Sequence, residues 1–316
     1  MGWTAADIPD QTGRTAVVTG ANGGLGLESA RALGAAGAHV VMAARNQDKA
    51  AEAVKDIRAG APDASLEVVE LDLGTQASVR AAAERILAQH DTIDILLNNA
   101  GVMGIPESRT IDGFEMQLGV NHLGHWTLTA LLMPALLRGD AARVISVTST
   151  AHHTGRAINP SNPHLEGNYG AWKAYGQSKL ANFHFGIGLQ HRFEAAHVPA
   201  ASLIAHPGLS NTDLQAVSVR ETDGGLSQKF FHSLAGSTGM SPEQGARPQL
   251  RAATDPEAGG GEFYVPRFVN NGAPVRKPIL RRIGMDKAIK RLWEVSERET
   301  GLEIDVRGGV PEPVAS

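Results

Sequence analysis

The chain contains no cysteine among its 316 residues. That excludes disulfides, thiolate nucleophiles and cysteine-ligated zinc, and it suits a reducing compartment. There is no excess of positive charge either. Lys and Arg number 29 against 33 Asp and Glu, a formal net charge of −4. No basic field is therefore available to hold a nucleic acid backbone. No stretch reaches the 18 or so consecutive apolar residues that a transmembrane helix needs. The opening residues, MGWTAADIPDQTG, carry two aspartates and no apolar run, unlike a signal peptide. Ala6 breaks the myristoylation pattern. A cytoplasmic protein with no membrane partner is the expectation.

What the chain does have is an ordinary globular composition, 42% hydrophobic and 20% charged, at a length that can bury a full core. Apolar runs rich in Val and Ile cover 14–20, 38–45, 66–71, 93–99, 143–149 and 199–208, with a last one at 263–265. Helix-period segments follow Gly24 and cover 47–59 and 286–300. Continuous apolar strands separated by helices predict a parallel sheet covered on both faces. The expected class is α/β, a Rossmann-type doubly wound sheet of about seven strands. One dinucleotide-binding and catalytic domain is expected over 1–316. Within it, 152–170 reads as loop, 209–241 as a substrate lid, and 267–316 as a C-terminal extension that begins with a Pro- and Arg-rich linker.

TGANGGLG occupies 19–26, between a predicted strand and a predicted helix. Gly20 permits the tight turn, Gly24 lets backbone approach a pyrophosphate, and Gly26 lets helix and strand pack closely. An ordinary Gly-rich turn is the alternative. NAD sites place Asp or Glu after the second strand, to accept from the ribose 2′-OH. Here that place reads Ala43-Ala44-Arg45-Asn46, without a carboxylate. The planar fork of Arg45 suits a 2′-phosphate, so NADP(H) is expected ahead of NAD(H); a solvated surface arginine is the other reading.

In YGQSK, Tyr175 and Lys179 stand at i and i+4 and share one helix face. A phenol titrates near ~10, and a neighbouring ammonium lowers that value. Ser149 ends the fifth strand, where it can hydrogen-bond a substrate oxygen. It is not in a GxSxG elbow, which argues against a serine hydrolase. The twelve histidines include the adjacent pair His152-His153 and, three apart, His122 and His125. No third ligand completes a recognisable spacing, so no metal is expected.

TGANGGLG, NNAG at 98–101, Asn121, Ser149 and YGQSK, in that order, resemble the short-chain dehydrogenase/reductase family from about residue 14 to about 266. The resemblance implies reversible hydride transfer between a nicotinamide and a carbonyl or alcohol carbon. It implies that Gly20, Asn22, Gly24, Leu25 and Gly26 form the phosphate turn, and that Asp72, with Leu73 beside it, meets the adenine amino group. A helix N-cap is the alternative for Asp72. It further implies that the Ala100-Gly101 backbone passes the adenine-side ribose while Asn98 steadies the sheet. Asn121, expected in the long helix after NNAG, would hold a water in a relay to Lys179, and Lys179 would also bind the nicotinamide ribose. HPGLSNT at 206–212 resembles the segment that binds the carboxamide, which implicates Pro207, Gly208 and Thr212. The 26 residues from Ser149 to Tyr175, VNHLGHW at 120–126, SKLANFHF at 178–185 and WEVSERETGL at 293–302 resemble the retinol dehydrogenase-like branch, which also holds the WW-domain oxidoreductase. A membrane anchor and a WW module are both absent from the pattern. Leu226, Phe230, Phe231 and Leu234 in the expected lid hint at a lipophilic substrate. Two other classes stay open: a non-catalytic NADP-binding regulator, and an NAD-retaining epimerase or dehydratase. A homo-oligomer is also left open.

Overall fold

The computed structural model describes residues 2–209, 240–280 and 283–308. Eight strands form one sheet in the order β3-β2-β1-β4-β5-β6-β7-β8. The strands are β1 (Thr15–Thr19), β2 (His39–Ala44), β3 (Leu66–Glu70), β4 (Ile95–Asn98), β5 (Arg143–Val147), β6 (Ala201–Ala205), β7 (Phe263–Pro266) and β8 (Pro274–Lys277). All neighbours pair in parallel except β7 and β8. The order runs outward in both directions from β1 and β4. The crevice at such a reversal, outside the carboxyl ends of the strands, is where open α/β sheets bind ligands.

The central strands are apolar throughout because both faces are covered. Val17, Val41 and Leu96 pack into one core layer, and Val18, Met42 and Leu97 into the other. Helices α1 (Gly24–Ala35), α2 (Gln47–Gly60) and α3 (Gln76–Gln89) follow the first three strands. A short α4 (Met116–Leu118) leads through a π turn (Gly119–Leu123) into α5 (Gly124–Leu136). Then come α6 (Ala171–Ala196), α7 (Pro242–Thr254) and α8 (Met285–Thr300).

The expected strand count of about seven falls one short. β8 lies inside the stretch expected to be linker. The preceding Asn270-Asn271-Gly272, with Gly272 at φ +96°, supplies the left-handed conformation that a hairpin turn needs. The predicted helix at 286–300 is α8. It docks on α5 and α6, where Trp293 stacks on Phe185 at 5.6 Å and meets Trp126 edge-on at 5.1 Å. Trp126 Nε1 donates to the Leu302 carbonyl at 3.0 Å, tying down the chain beyond α8. The 152–170 stretch holds one short 3-10 turn (Thr150–His153) and is otherwise irregular. It is pinned all the same: Tyr169 donates to the Ile105 carbonyl, and Gln177 Nε2 to the Pro163 carbonyl. The expected lid lies outside the described residues over 210–239, and Thr212, Leu226, Phe230, Phe231 and Leu234 with it. Among the described residues, no helix is long and apolar enough to cross a membrane.

Helix α6 sits centrally because glycines bring it close to its neighbours. A Cβ on Gly186 would collide with Ile204 of β6, and one on Gly188 with the Trp293 indole. Gly60, at the end of α2, faces open space instead. Gly188→Ala is expected to destabilise the fold by about 1–3 kcal/mol, overpacking outweighing the better helix propensity of Ala. Gly60→Ala is expected to be neutral, or stabilising by up to about 1 kcal/mol. Urea unfolding of both variants checks the contrast; equal midpoints would show that α6 is not tightly seated.

Candidate active site

The turn after β1 depends on its glycines. Gly20 and Gly24 have φ of +68° and +51°. A Cβ on Gly26 would fall onto the Gly20 carbonyl, so only glycine lets α1 start this close to the strand. The first turn of α1 holds no acidic residue, which leaves its N-terminal dipole open to an anion. A cleft of about 530 Å³ runs from this turn along the ends of β1 to β4. Gly20, Asn22, Arg45, Asp72, Leu73, Ala100 and Gly101 all line it. Leu25 lies in the first turn of α1, where its carbonyl accepts from Ser29 Oγ.

Arg45 and Lys49 give the β2 side of the cleft two exposed cations. Arg45 forms no ion pair with a carboxylate among the described residues. Asp72 does not cap α3, because Thr75 occupies the N-cap position. Its Oδ1 accepts from Gly74 N at 2.8 Å, an Asx turn that holds the carboxylate at the cleft wall. Glycine-lined backbone, a carboxylate at one end and two cations along the β2 side make a lining that would fit a dinucleotide.

The second half of the site is carried by α6 and the end of β5. Tyr175 is 5% exposed and Lys179 4%. One helical turn separates them, and the ammonium lies 5.8 Å from the Tyr175 ring centroid. Ser149 hydrogen-bonds the Tyr175 hydroxyl, which favours the phenolate. Burial outweighs that bond and pushes the phenol up to about 12. Burial also pulls Lys179 down to about 8. Lys179 Nζ donates a long hydrogen bond to the Val147 carbonyl, at 3.4 Å. Desolvation therefore acts on both groups in the direction that neutralises them.

Asn121 lies in the π turn, not in regular helix as its placement after NNAG implied. Gly124 N bonds back five residues to the Gly119 carbonyl. The Asn121 amide is fully engaged. Its Oδ1 accepts from Val102 N at 2.7 Å, and its Nδ2 donates to the Val102 carbonyl at 2.9 Å and to Ser178 Oγ at 2.8 Å. The side chain thus fixes the segment after NNAG onto α6. Gly101 passes so close that an added Cβ would stand 2.9 Å from Asn121 Oδ1 and 3.4 Å from Lys179 Nζ. Asn98 donates to Thr129 Oγ1 at 3.1 Å, so it ties β4 to α5 and not to a neighbouring strand. Pro207 and Gly208 follow β6, with Gly208 at φ +75° and its N–H donating to His206 Nδ1.

Three residues that sequence reasoning passed over hold these parts together. Thr19 Oγ1 accepts from the backbone N–H of Asn99 at 2.9 Å and of Ala100 at 3.0 Å. It also lies 2.9 Å from His125 Nε2, and His125 Nδ1 lies 3.0 Å from the Asn121 carbonyl. A carbonyl only accepts, so His125 carries its proton on Nδ1, and Nε2 accepts from the Thr19 hydroxyl. Burial holds His125 down to about 4, which keeps the ring neutral. Gln249 of α7 donates to Ser29 Oγ and to Asn99 Oδ1, binding α1 to the NNAG turn. The spacing of His125 four residues past Asn121 was a usable signal for a shared face. Nothing local marked Gln249, which lies 150 residues from its partner Asn99.

Comparison with known proteins agrees with this geometry. Residues 14–223 match the family model for short chain dehydrogenase. Mouse retinol dehydrogenase 11 is 37% identical over 296 residues, covering 93% of this chain and 88% of the relative. Short-chain dehydrogenase/reductase prx1 of Penicillium roqueforti is 34% identical over 306 residues, covering 93% and 87%. A crystal structure of an uncharacterized protein from Mycobacterium paratuberculosis aligns with a TM-score of 0.78 at 39% identity, covering 96% of this chain and all of that one. A protein from Escherichia coli CFT073 solved with NADPH shares the fold at 23% identity and a TM-score of 0.61, covering 80% and 97%. With that sequence match over most of its length and the cleft and α6 site in place, the chain belongs to the short-chain dehydrogenase/reductase family of oxidoreductases.

Proposed function

We propose that the protein is an NADP(H)-dependent oxidoreductase that interconverts a carbonyl and an alcohol, with Tyr175 as the acid/base. The observation that carries this reading is the convergence of Ser149, Tyr175 and Lys179 beside a glycine-built cleft with Arg45 at its far wall. Gly20, Gly24 and Gly26 would hold the pyrophosphate, Asp72 the adenine end, Arg45 the 2′-phosphate and Lys179 the nicotinamide ribose. When bound, the nicotinamide supplies or accepts the hydride. The mouse relative is named a retinol dehydrogenase. That name supports a lipophilic substrate.

Ser149 positions the substrate oxygen and polarises it through its hydroxyl. With its pKa raised by burial, Tyr175 is protonated at neutral pH, which suits a general acid donating to a carbonyl oxygen. In the oxidative direction the same phenol must give up its proton, and the Lys179 ammonium favours that loss. The presence of Asn121, Ser149, Tyr175 and Lys179 together supports a working site over a vestigial one.

Arg45→Ala is expected to narrow the preference for NADPH over NADH by about 1–3 kcal/mol. Isothermal titration with both cofactors tests it, and equal affinity in the parent protein refutes the NADP assignment. Tyr175→Phe is expected to leave NADPH affinity nearly intact and to lower turnover by about 10²–10⁴-fold. The assay is a panel of ketones, aldehydes and alcohols followed by nicotinamide absorbance. Undiminished turnover in the variant on a confirmed substrate would remove Tyr175 from the mechanism.

A pH dependence follows from Lys179. Its pKa is depressed to about 8, so its charge is present below that pH and lost above it. kcat/KM with NADPH as the varied substrate reports groups of the free enzyme, and it is expected to fall as pH rises through about 8. Lys179→Arg keeps a charge at all these pH values and should move that limb upward. An unchanged limb in the variant would assign it to another group.

A further inference from the structure

The edge of the sheet farthest from α6 gathers three potential metal ligands outside the proposed active site. His39 opens β2, Glu67 is the second residue of β3, and His90 caps the end of α3. His90 Nε2 lies 2.9 Å from Glu67 Oε2, and His39 Nε2 lies 3.7 Å from the same oxygen. One donor atom from each residue falls within 4.8 Å of the other two. The two imidazoles are tilted 39° to each other with centroids 5.0 Å apart.

The two distances to Glu67 bracket the donor spacing of a zinc site. In tetrahedral zinc with bonds of about 2.0–2.1 Å, neighbouring donor atoms stand roughly 3.3 Å apart, and two imidazoles bound through Nε2 have centroids about 5 Å apart. The protonation of His39 also suits ligation, while His90 Nε2, which donates to Glu67 Oε2 at 2.9 Å, would release its proton as the ion binds. His39 Nδ1 meets Ser65 Oγ at 2.7 Å, and Ser65 is itself fixed by Val40 N donating to its carbonyl. A proton on Nδ1, given to Ser65, leaves the His39 Nε2 lone pair free. That nitrogen is shielded from solvent and has no hydrogen-bond partner. A fixed tautomer of this kind is what outer-shell partners give a metal-binding histidine. The Gln89 amide nitrogen, turned toward Glu67, reaches Oε1 at 3.0 Å and holds the carboxylate. Arg85 stands 3.8 Å from Oε1 with its side chain 56% exposed, so it can turn into solvent when a cation enters.

We infer that His39, Glu67 and His90 bind one divalent zinc-class ion through two imidazole nitrogens and one carboxylate oxygen, with water at the fourth position. Two nitrogens and one oxygen, without sulfur, suit zinc and its borderline neighbours. Sequence spacing does not reveal this trio, whose members Glu67 and His90 are 23 residues apart. The ion would sit at the amino ends of β2 and β3, at the opposite end of the strands from Arg45 and Asp72. It therefore joins two strands and a helix without entering the proposed chemistry. Its expected effect is on stability.

The test uses the whole chain after chelator treatment and exchange into metal-free buffer. Zinc titration by calorimetry is expected to show one site, and cobalt(II) should give the visible absorption of a four- or five-coordinate ion. Saturating zinc should raise the thermal midpoint by a few degrees, since it binds the folded chain selectively. His39→Ala and His90→Ala should each weaken zinc by about tenfold or more and abolish the cobalt band. His153→Ala, beside the other histidine group, should leave both intact. If either alanine variant fails to fold by circular dichroism, His39→Gln and His90→Gln, which keep polar atoms in place, decide the matter. Absence of zinc binding in the parent chain overturns the proposal. So does parent-like affinity in the folded His39 and His90 variants, which would move the site elsewhere.

Discussion

A single hydroxyl, that of Thr19, couples the two halves of the proposed active site. A hydroxyl has two acceptor positions and one donor. Both acceptor positions are taken by the backbone N–H groups of Asn99 and Ala100, which sets the course of the NNAG turn past the cleft. Its proton goes to His125, and His125 in turn holds the Asn121 carbonyl. The end of β1, the turn after β4 and the π turn before α5 are therefore one mechanical unit. Without the hydroxyl, the half-buried Ala100 N–H and the buried His125 Nε2 would lose their partner together, and Asn99 N–H would keep only the Leu97 carbonyl. Each such loss costs about 1–3 kcal/mol.

Burial is the common cause of the site's electrostatics. α6 lies against β5, β6 and α8, so Tyr175 and Lys179 are removed from water by the same packing that orders them. This makes the phenol a weaker acid and the amine a weaker base. Two reactive side chains in such surroundings are costly to hold charged, and the glycines at 186 and 188 are part of how the cost arises, because they let α6 approach its neighbours closely. The short loop elements before it contribute as well. Glu115 accepts from Gln117 N and Leu118 N, which starts α4 where Gln117 can reach Tyr169 and the Ala171 carbonyl.

Much of this was legible in the sequence, and the limits have physical reasons. TGANGGLG, NNAG and YGQSK are local patterns whose geometry follows from glycine conformation or helical spacing, so their placement is as read. The strands were readable because both faces are buried and the runs are continuously apolar. β8 was not readable as a strand: it is four residues long, opens with Pro274 and ends in Arg276 and Lys277, a composition that reads as linker. The Asn-Asn-Gly before it was the available clue. The π turn at Asn121 was not readable, because a single wider turn leaves no mark in hydrophobic periodicity. Gln249 and the His39–Glu67–His90 group depend on contacts between distant segments, and no spacing rule reaches them. The expected lid falls on residues outside the described structure, and its role rests on sequence pattern alone.

The edge strand β8 has a consequence for how the molecule meets other chains. A parallel sheet that stopped at β7 would offer a bare row of amide and carbonyl groups, a template for another strand. β8 covers that row by pairing antiparallel through Phe263↔Lys277 to Pro266↔Pro274. The new edge begins with a residue that has no N–H to offer and carries two cations, one of them, Arg276, ion-paired to Glu262. A further strand would have to bury those charges and forgo a hydrogen bond. On this side the sheet is thus capped against growth, and any association through it must use side chains instead of backbone pairing.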